Sequence, residues 1–214
     1  MQLRNIVGMI CACLFFTTAQ AVEKTSPDGK WIFDDTITVP TLLDPFDPGS
    51  EIVGLRANIF VPVSADPAQT YPAVIFIISW ALPEHEYLDQ AQLLADKGYV
   101  VLSYTARGFY SSPGLINTAG EADVNDARSA IDYLLDPANH FPVDPERIGM
   151  AGVSYGAGIS LLTAMQDERI KVVSAMSGWG DLIESLWAGN TPNQTWIDIL
   201  VGASTRVPYI ANNH

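Results

Sequence analysis

The chain has 214 residues, 24 acidic against 11 basic side chains, a formal net charge of −13 and 48% hydrophobic residues. That length suits one domain, or one domain and part of another, and that apolar content builds a real core, which excludes wholesale disorder. The acidity argues against nucleic-acid partners and anionic membrane surfaces, and with Cys11 and Cys13 as the only cysteines a disulfide framework and a cysteine-cluster zinc site are excluded.

Arg4 is the only charge before Glu23, an apolar run follows from Ile6 to Phe16, and small and polar residues end in Ala19-Gln20-Ala21. A basic start, an apolar stretch and an A-x-A site are the layout of a secretory signal peptide, here residues 1–21. The alternatives are an uncleaved anchor helix, against which Thr17, Thr18 and Gln20 interrupt the apolar run, and a lipid on Cys13, which has little apolar chain before it. Cleavage leaves Val22–His214 with 10 bases, 24 acids and no cysteine. The expected compartment is the periplasm or the medium, with no stable membrane insertion after cleavage.

Residues 22–50 are rich in Pro, Asp and Thr. Thr36–Val39 alternates like a strand, Pro40–Ser50 reads as a loop, and Ile52–Val61 is a second strand ended by Pro62. Ala73–Ile78 is then a continuous apolar, β-branched run, which fits a strand buried on both faces. Leu88, Ala91 and Ala95 recur at helical spacing, with Gly98 as a C-cap. Tyr99–Tyr104 is another buried strand and Arg107–Gly120 a loop. The stripe Val124, Ala127, Ile131, Leu134 marks a helix with Glu121 and Asp123 in its first turn, where acids suit the dipole. Arg147–Val153 is a strand, Tyr155–Met165 a helix, Ile170–Ser177 a fourth strand, and Asp181–Trp187 and Trp196–Val201 short helices. Two lead-in strands followed by four strands alternating with three helices imply an α/β fold: a mostly parallel sheet covered on both faces.

Gly152-Val153-Ser154-Tyr155-Gly156 matches G-x-S-x-G. A strand turning sharply into a helix leaves the Ser strained at the apex, and glycines two before and two after let the backbones pass. The hydroxyl then stands at the carboxyl edge of the sheet and at a helix N-terminus, where an oxyanion is stabilised. The bare pattern is short, but here a buried strand runs straight into Ser154, and Ala157 and Gly158 keep the helix start small. The bland reading is a Ser that caps a helix.

Residues 147–158 resemble the nucleophile elbow of α/β-hydrolases. With Arg107-Gly108, Ser111 and Gly114, the helix Glu121–Leu135, and Ser177-Gly178-Trp179-Gly180-Asp181, the chain over about 30–190 resembles the Xaa-Pro dipeptidyl-peptidase-like branch (peptidase family S15). That branch includes cocaine-esterase-like and acyl-amino-acid-ester hydrolases. The resemblance implies an α/β-hydrolase fold, Ser154 as the acylated nucleophile of a Ser-His-Asp triad, small-molecule ester, amide or peptide substrates, and no metal or organic cofactor. One oxyanion donor would be the Tyr155 backbone N–H. The other would come from Ser79-Trp80-Ala81, where relatives often carry a Tyr hydroxyl; here either the backbone or the indole N–H of Trp80 serves, or Trp80 is a pocket wall. Arg107 either binds a substrate carboxylate or pairs with Glu121, Asp123 or Asp126. Asp181 is expected to cap the next helix.

A free hydroxyl needs a base, and in this fold the order is Ser, then acid, then His. After Ser154 the chain offers Asp167, Asp181, Glu184, Asp198 and the terminal His214. Asp167 falls at the far end of the elbow helix, His85 has the wrong chain order, His140 belongs to the opposite sheet edge, and His214 has too little chain before it for two more βα units. The expectation is an incomplete hydrolase core over 22–180, the opening of a helical cap over 181–214, and triad acid and base beyond His214. The alternative is a non-catalytic or decayed α/β chain.

Overall fold

The structure, a computed structural model, describes residues 24–206; the expected signal peptide and His214 lie outside the described residues. In chain order its elements are β1 (Lys24–Thr25), β2 (Trp31–Asp34), β3 (Thr38–Leu42), β4 (Ile52–Pro62), β5 (Tyr71–Ile77), α1 (Leu88–Ala95), β6 (Val100–Tyr104), α2 (Glu121–Leu135), β7 (Val143–Val153), α3 (Tyr155–Ala164), β8 (Ile170–Met176), α4 (Leu182–Leu186) and α5 (Gln194–Ser204). The strands form one sheet in the order β1-β2-β4-β6-β5-β7-β8, with β3 also on β4. The lead-in strands run antiparallel, and β6, β5, β7 and β8 are parallel. The expected α/β architecture is therefore present, as a mixed sheet with a parallel half.

The apolar runs of β5, β6 and β7 lie mid-sheet because both of their faces are covered. On one face α1 packs over Phe76, Phe60 and Val101; on the other α2 and α3 pack over Ile75, Ile77, Leu102 and Met150. The helix Glu121–Leu135 has the bounds its apolar stripe predicts. The carboxyl ends of β5, β6, β7 and β8 converge on one edge, which is where open parallel sheets carry their sites.

Of the segments that differ from the sequence expectation, three have a clear physical reason. β2 falls in a stretch that carried no strand prediction. Trp31 and Phe33 are buried there by their rings, whose centroids lie 4.9 and 4.5 Å from Phe60. β3 starts two residues later than predicted and runs through Pro40, opposite Gly54. An edge strand has an open side on which a missing N–H does no harm. β7 begins at Val143, four residues before the predicted start, because the pairing of Val143 with Tyr71 extends it past a bulge.

Candidate active site

β7 runs into α3 through a single residue, Ser154, with φ 52° and ψ −111°. This is left-handed backbone outside the well that non-glycine residues tolerate, a strain of about 1–3 kcal/mol. Its neighbours hold it there: the Ser154 amide donates to Met176 O at 2.9 Å, and Ser154 O accepts from the Gly158 amide at 3.1 Å. The flanking glycines are steric necessities. A Cβ on Gly152 would lie 2.6 Å from the Gly156 carbonyl carbon and 2.8 Å from Ile77 O; one on Gly156 would run into Ile77 O, and one on Gly158 into the Trp179 ring. The Ser154 hydroxyl does not cap α3. The residue is half-buried and lines a cavity of about 400 Å³.

The cavity is lined by Ser154 and Tyr155, by Trp80 and Trp179, by the hydroxyl residues Thr118, Ser177 and Ser185, and by Leu182, Leu186, Trp196 and Leu200 from α4 and α5. No acidic, basic or histidine side chain lines it among the described residues. Trp80 packs edge-on against Tyr155 at 5.0 Å and Phe109 at 5.1 Å. Its indole N–H donates to Leu200 O at 2.8 Å. That side-chain donor is thus engaged by the α5 backbone. Trp80 also lines the cavity. The loop is clamped from both sides: Ser79 donates to the Glu86 carboxylate from N and from Oγ, each at 2.6 Å, and the Tyr110 hydroxyl donates to Ala81 O at 3.1 Å. Tyr155 opens α3, where a backbone N–H has no intrahelical partner.

A buried polar layer adjoins Tyr155. Arg107, 3% exposed, donates to Asp126 from Nε at 2.7 Å and from Nη2 at 2.6 Å, and to the carbonyls of Leu42 and Leu43. Thr41 Oγ1 adds a bond to Asp126 at 2.8 Å. Of the alternatives for Arg107, the structural one holds, and among the three acids Asp126 is the partner. Asp123, which the sequence placed only at a helix start or beside Arg107, instead accepts from the Tyr155 phenol at 2.7 Å. Burial pushes the Asp123 carboxyl up to about 6 and the Tyr155 phenol well above its ordinary value. The legible sign of this layer was an acid, Asp123, one position before the buried stripe of α2. Glu86, which orders the loop after β5, left no such sign.

The other titratable candidates lie elsewhere. His85 is in a 3-10 turn, Glu84–Tyr87, with Nδ1 3.4 Å from Glu84 Oε1. His140, at φ 55° just before β7, is at the opposite edge from Ser154. Asp167, past the end of α3, pairs with Arg169 and Arg128. Asp181 caps α4, accepting from the Glu184 amide at 2.9 Å, as expected. Among the described residues no group of three or more His, Cys, Asp or Glu could hold a metal ion, and no helix is long and apolar enough to cross a membrane.

The family model of X-Pro dipeptidyl-peptidase (S15 family) matches residues 49–208. The chain is 29% identical over 143 residues to the uncharacterized protein YcjY of Escherichia coli, covering 64% of this chain and 46% of that protein. It is 26% identical over 167 residues to the uncharacterized peptidase YuxL of Bacillus subtilis, covering 73% of this chain and 25% of that protein. It thus spans less than half the length of either relative. A hyperthermophilic esterase from the archaeon Pyrobaculum calidifontis superposes with a TM-score of 0.55 at 20% identity, over 89% of this chain and 59% of that one. An acylaminoacyl peptidase does so with a TM-score of 0.51 at 20% identity, over 68% and 24%. At such identities the likeness is one of fold, and the fold is that of the α/β-hydrolases.

Proposed function

Because this chain belongs to the X-Pro dipeptidyl-peptidase (S15) family, we propose that it is an exported serine hydrolase that cleaves ester or amide (peptide) bonds through an acyl-enzyme on Ser154. The observation that carries this reading is Ser154 itself: a strained residue at the carboxyl edge of the sheet whose side chain borders the cavity instead of capping its helix. Strain of this kind is retained where the surrounding structure enforces it, and it is concentrated at reactive sites.

In the proposed reaction Ser154 Oγ attacks the substrate carbonyl carbon, and its proton passes to a base. The carbonyl oxygen, now negative, is received by the Tyr155 N–H and the backbone N–H of Trp80 or Ala81, with the α3 N-terminus adding its dipole. Collapse expels the alcohol or amine, and water releases the acid and frees Ser154. The triad acid and base come from residues outside 24–206. The scheme draws on no metal or organic cofactor. A cavity lined by aromatic and aliphatic side chains and a few hydroxyls, with no charged side chain among the described residues, suits an uncharged apolar group on the small-molecule or peptide substrate. Residues 22–180 form the hydrolase core and 181–214 open a helical cap, of which α4 and α5 already face the cavity. Residues 1–21 direct export.

The test is fluorophosphonate labelling of the product of the longest reading frame from the locus, with the modified peptide identified by mass spectrometry. Modification at Ser154, lost in Ser154→Ala, supports the reading; a wild-type protein that stays unmodified contradicts it. One observation favours a second reading, a non-catalytic α/β chain: no His, Asp or Glu lines the cavity among the described residues. That reading predicts a cooperative melt and no turnover of p-nitrophenyl esters.

A further inference from the structure

Asp123 sits on the first turn of α2 with its carboxylate turned into the protein, 1% exposed. A buried carboxylate is costly unless a counter-charge meets it, and the nearby guanidinium of Arg107 makes its carboxylate bonds to Asp126. What Asp123 holds is a phenol. Tyr155 Oη donates to Asp123 Oδ2 at 2.7 Å and accepts from the Ala119 amide at 3.1 Å. Asp123 Oδ1 has no hydrogen-bond partner among the described residues. Two apolar side chains would serve the contact between α2 and α3 equally well. The carboxylate adds a fixed direction for one ring.

That ring belongs to the residue whose amide follows Ser154. It is held at its tip by Asp123 and on its flanks by Trp80, at 5.0 Å, and Phe109, at 6.4 Å. With tip and flanks fixed, the Tyr155 ring has one direction, and through its Cα it adds to the bond from the Gly158 amide to Ser154 O in setting the tilt of the Ser154–Tyr155 peptide plane. An oxyanion donor is effective when it is aimed before charge develops.

We propose that Asp123 is a positioning residue for the oxyanion site, acting through the Tyr155 phenol to fix the direction of the Tyr155 backbone N–H beside Ser154; the inference rests on Ser154 as the acylated residue. The charged and titratable groups facing the carboxylate are Tyr155 from α3, Tyr104 from β6, Arg107 from the loop after β6, and Asp126 from α2 itself.

Two readouts test it on the product of the longest reading frame from the locus. The first is the Tyr155 amide signal after ¹⁵N-tyrosine labelling, assigned by its loss in Tyr155→Phe. In the wild type this signal moves as Asp123 ionises; in Asp123→Asn it is displaced and no longer moves. The second is the rate of fluorophosphonate labelling. Loss of a whole oxyanion donor costs about 10²- to 10³-fold, so a mis-aimed donor in Asp123→Ala or Tyr155→Phe slows labelling by about 10- to 100-fold. Asp123→Asn, whose amide oxygen still accepts from the phenol, stays within about tenfold of the wild type. A Tyr155 amide indifferent to both pH and Asp123→Asn overturns the proposal. So does wild-type labelling at Ser154 that Asp123→Ala leaves unchanged. If the wild type is not labelled at all, the acyl-enzyme reading fails instead, and the amide signal decides the positioning role by itself.

Discussion

Replacing Asp123 by Asn is expected to change stability in a way that depends on pH with a definite sign. In the folded protein burial holds the Asp123 carboxyl at about 6, against an ordinary value of 3.8. An acid raised on folding makes the folded state bind protons more tightly than the unfolded chain does. Its cost is therefore fully present above about pH 6 and is relieved as pH falls toward 3.8. A shift of this size corresponds to roughly 3 kcal/mol at neutral pH. Asn has the shape of the neutral acid and does not titrate, so Asp123→Asn escapes this cost but buries an NH2 group with two N–H donors to satisfy, about 1–3 kcal/mol each. The two terms offset each other at about pH 8, so the change of the difference with pH is the readout. Between about pH 8 and pH 4.5 the wild type should gain roughly 2 kcal/mol relative to the variant. The assay is urea unfolding of both proteins by tryptophan fluorescence at stepped pH. A difference that stays flat across this range, or one that widens in favour of the wild type as pH rises, refutes the buried, phenol-bonded carboxylate.

Other outcomes follow from the same geometry. Gly156→Ala forces a Cβ into Ile77 O, a backbone atom that cannot swing aside, and should cost at least about 3 kcal/mol or prevent folding, as read by expression and thermal melt. Gly158→Ala meets the Trp179 ring, which can rotate; a loss of about 1–2 kcal/mol with a shift in tryptophan emission is expected. Ser154→Gly relieves the left-handed strain at φ 52° and should raise the urea midpoint by the equivalent of about 1 kcal/mol while abolishing labelling. Arg107→Ala strands the Asp126 carboxylate in the interior and should cost about 3–5 kcal/mol, most of which Arg107→Met combined with Asp126→Leu restores.

The sequence by itself determined the parallel half of the sheet, the long helix and the elbow. Continuous apolar runs such as Ala73–Ile78 and the stripe Val124, Ala127, Ile131, Leu134 are local patterns that burial on both faces demands. The spacing of Gly152, Ser154 and Gly156 states a steric requirement that holds wherever the chain goes. The α/β class followed from these alone; the family came from the resemblance of further segments, among them Arg107-Gly108, Ser111, Gly114 and 177–181, and the capping role of Asp181 from its place just after the fourth strand. Tertiary structure decided the rest, because it depends on partners far apart in the chain. Trp31 and Phe33 form a strand since Phe60 lies under their rings, and Pro40 joins one since its strand lies at an edge. The Trp80 indole meets a carbonyl 120 residues away. Of the acids near Arg107, packing of α2 against the loop after β6 gave Asp126 to the guanidinium and turned Asp123 toward the Tyr155 phenol. Asp123 and Asp126 are indistinguishable by residue type and share one helix face; only the three-dimensional arrangement of the crossovers sets which group each one meets.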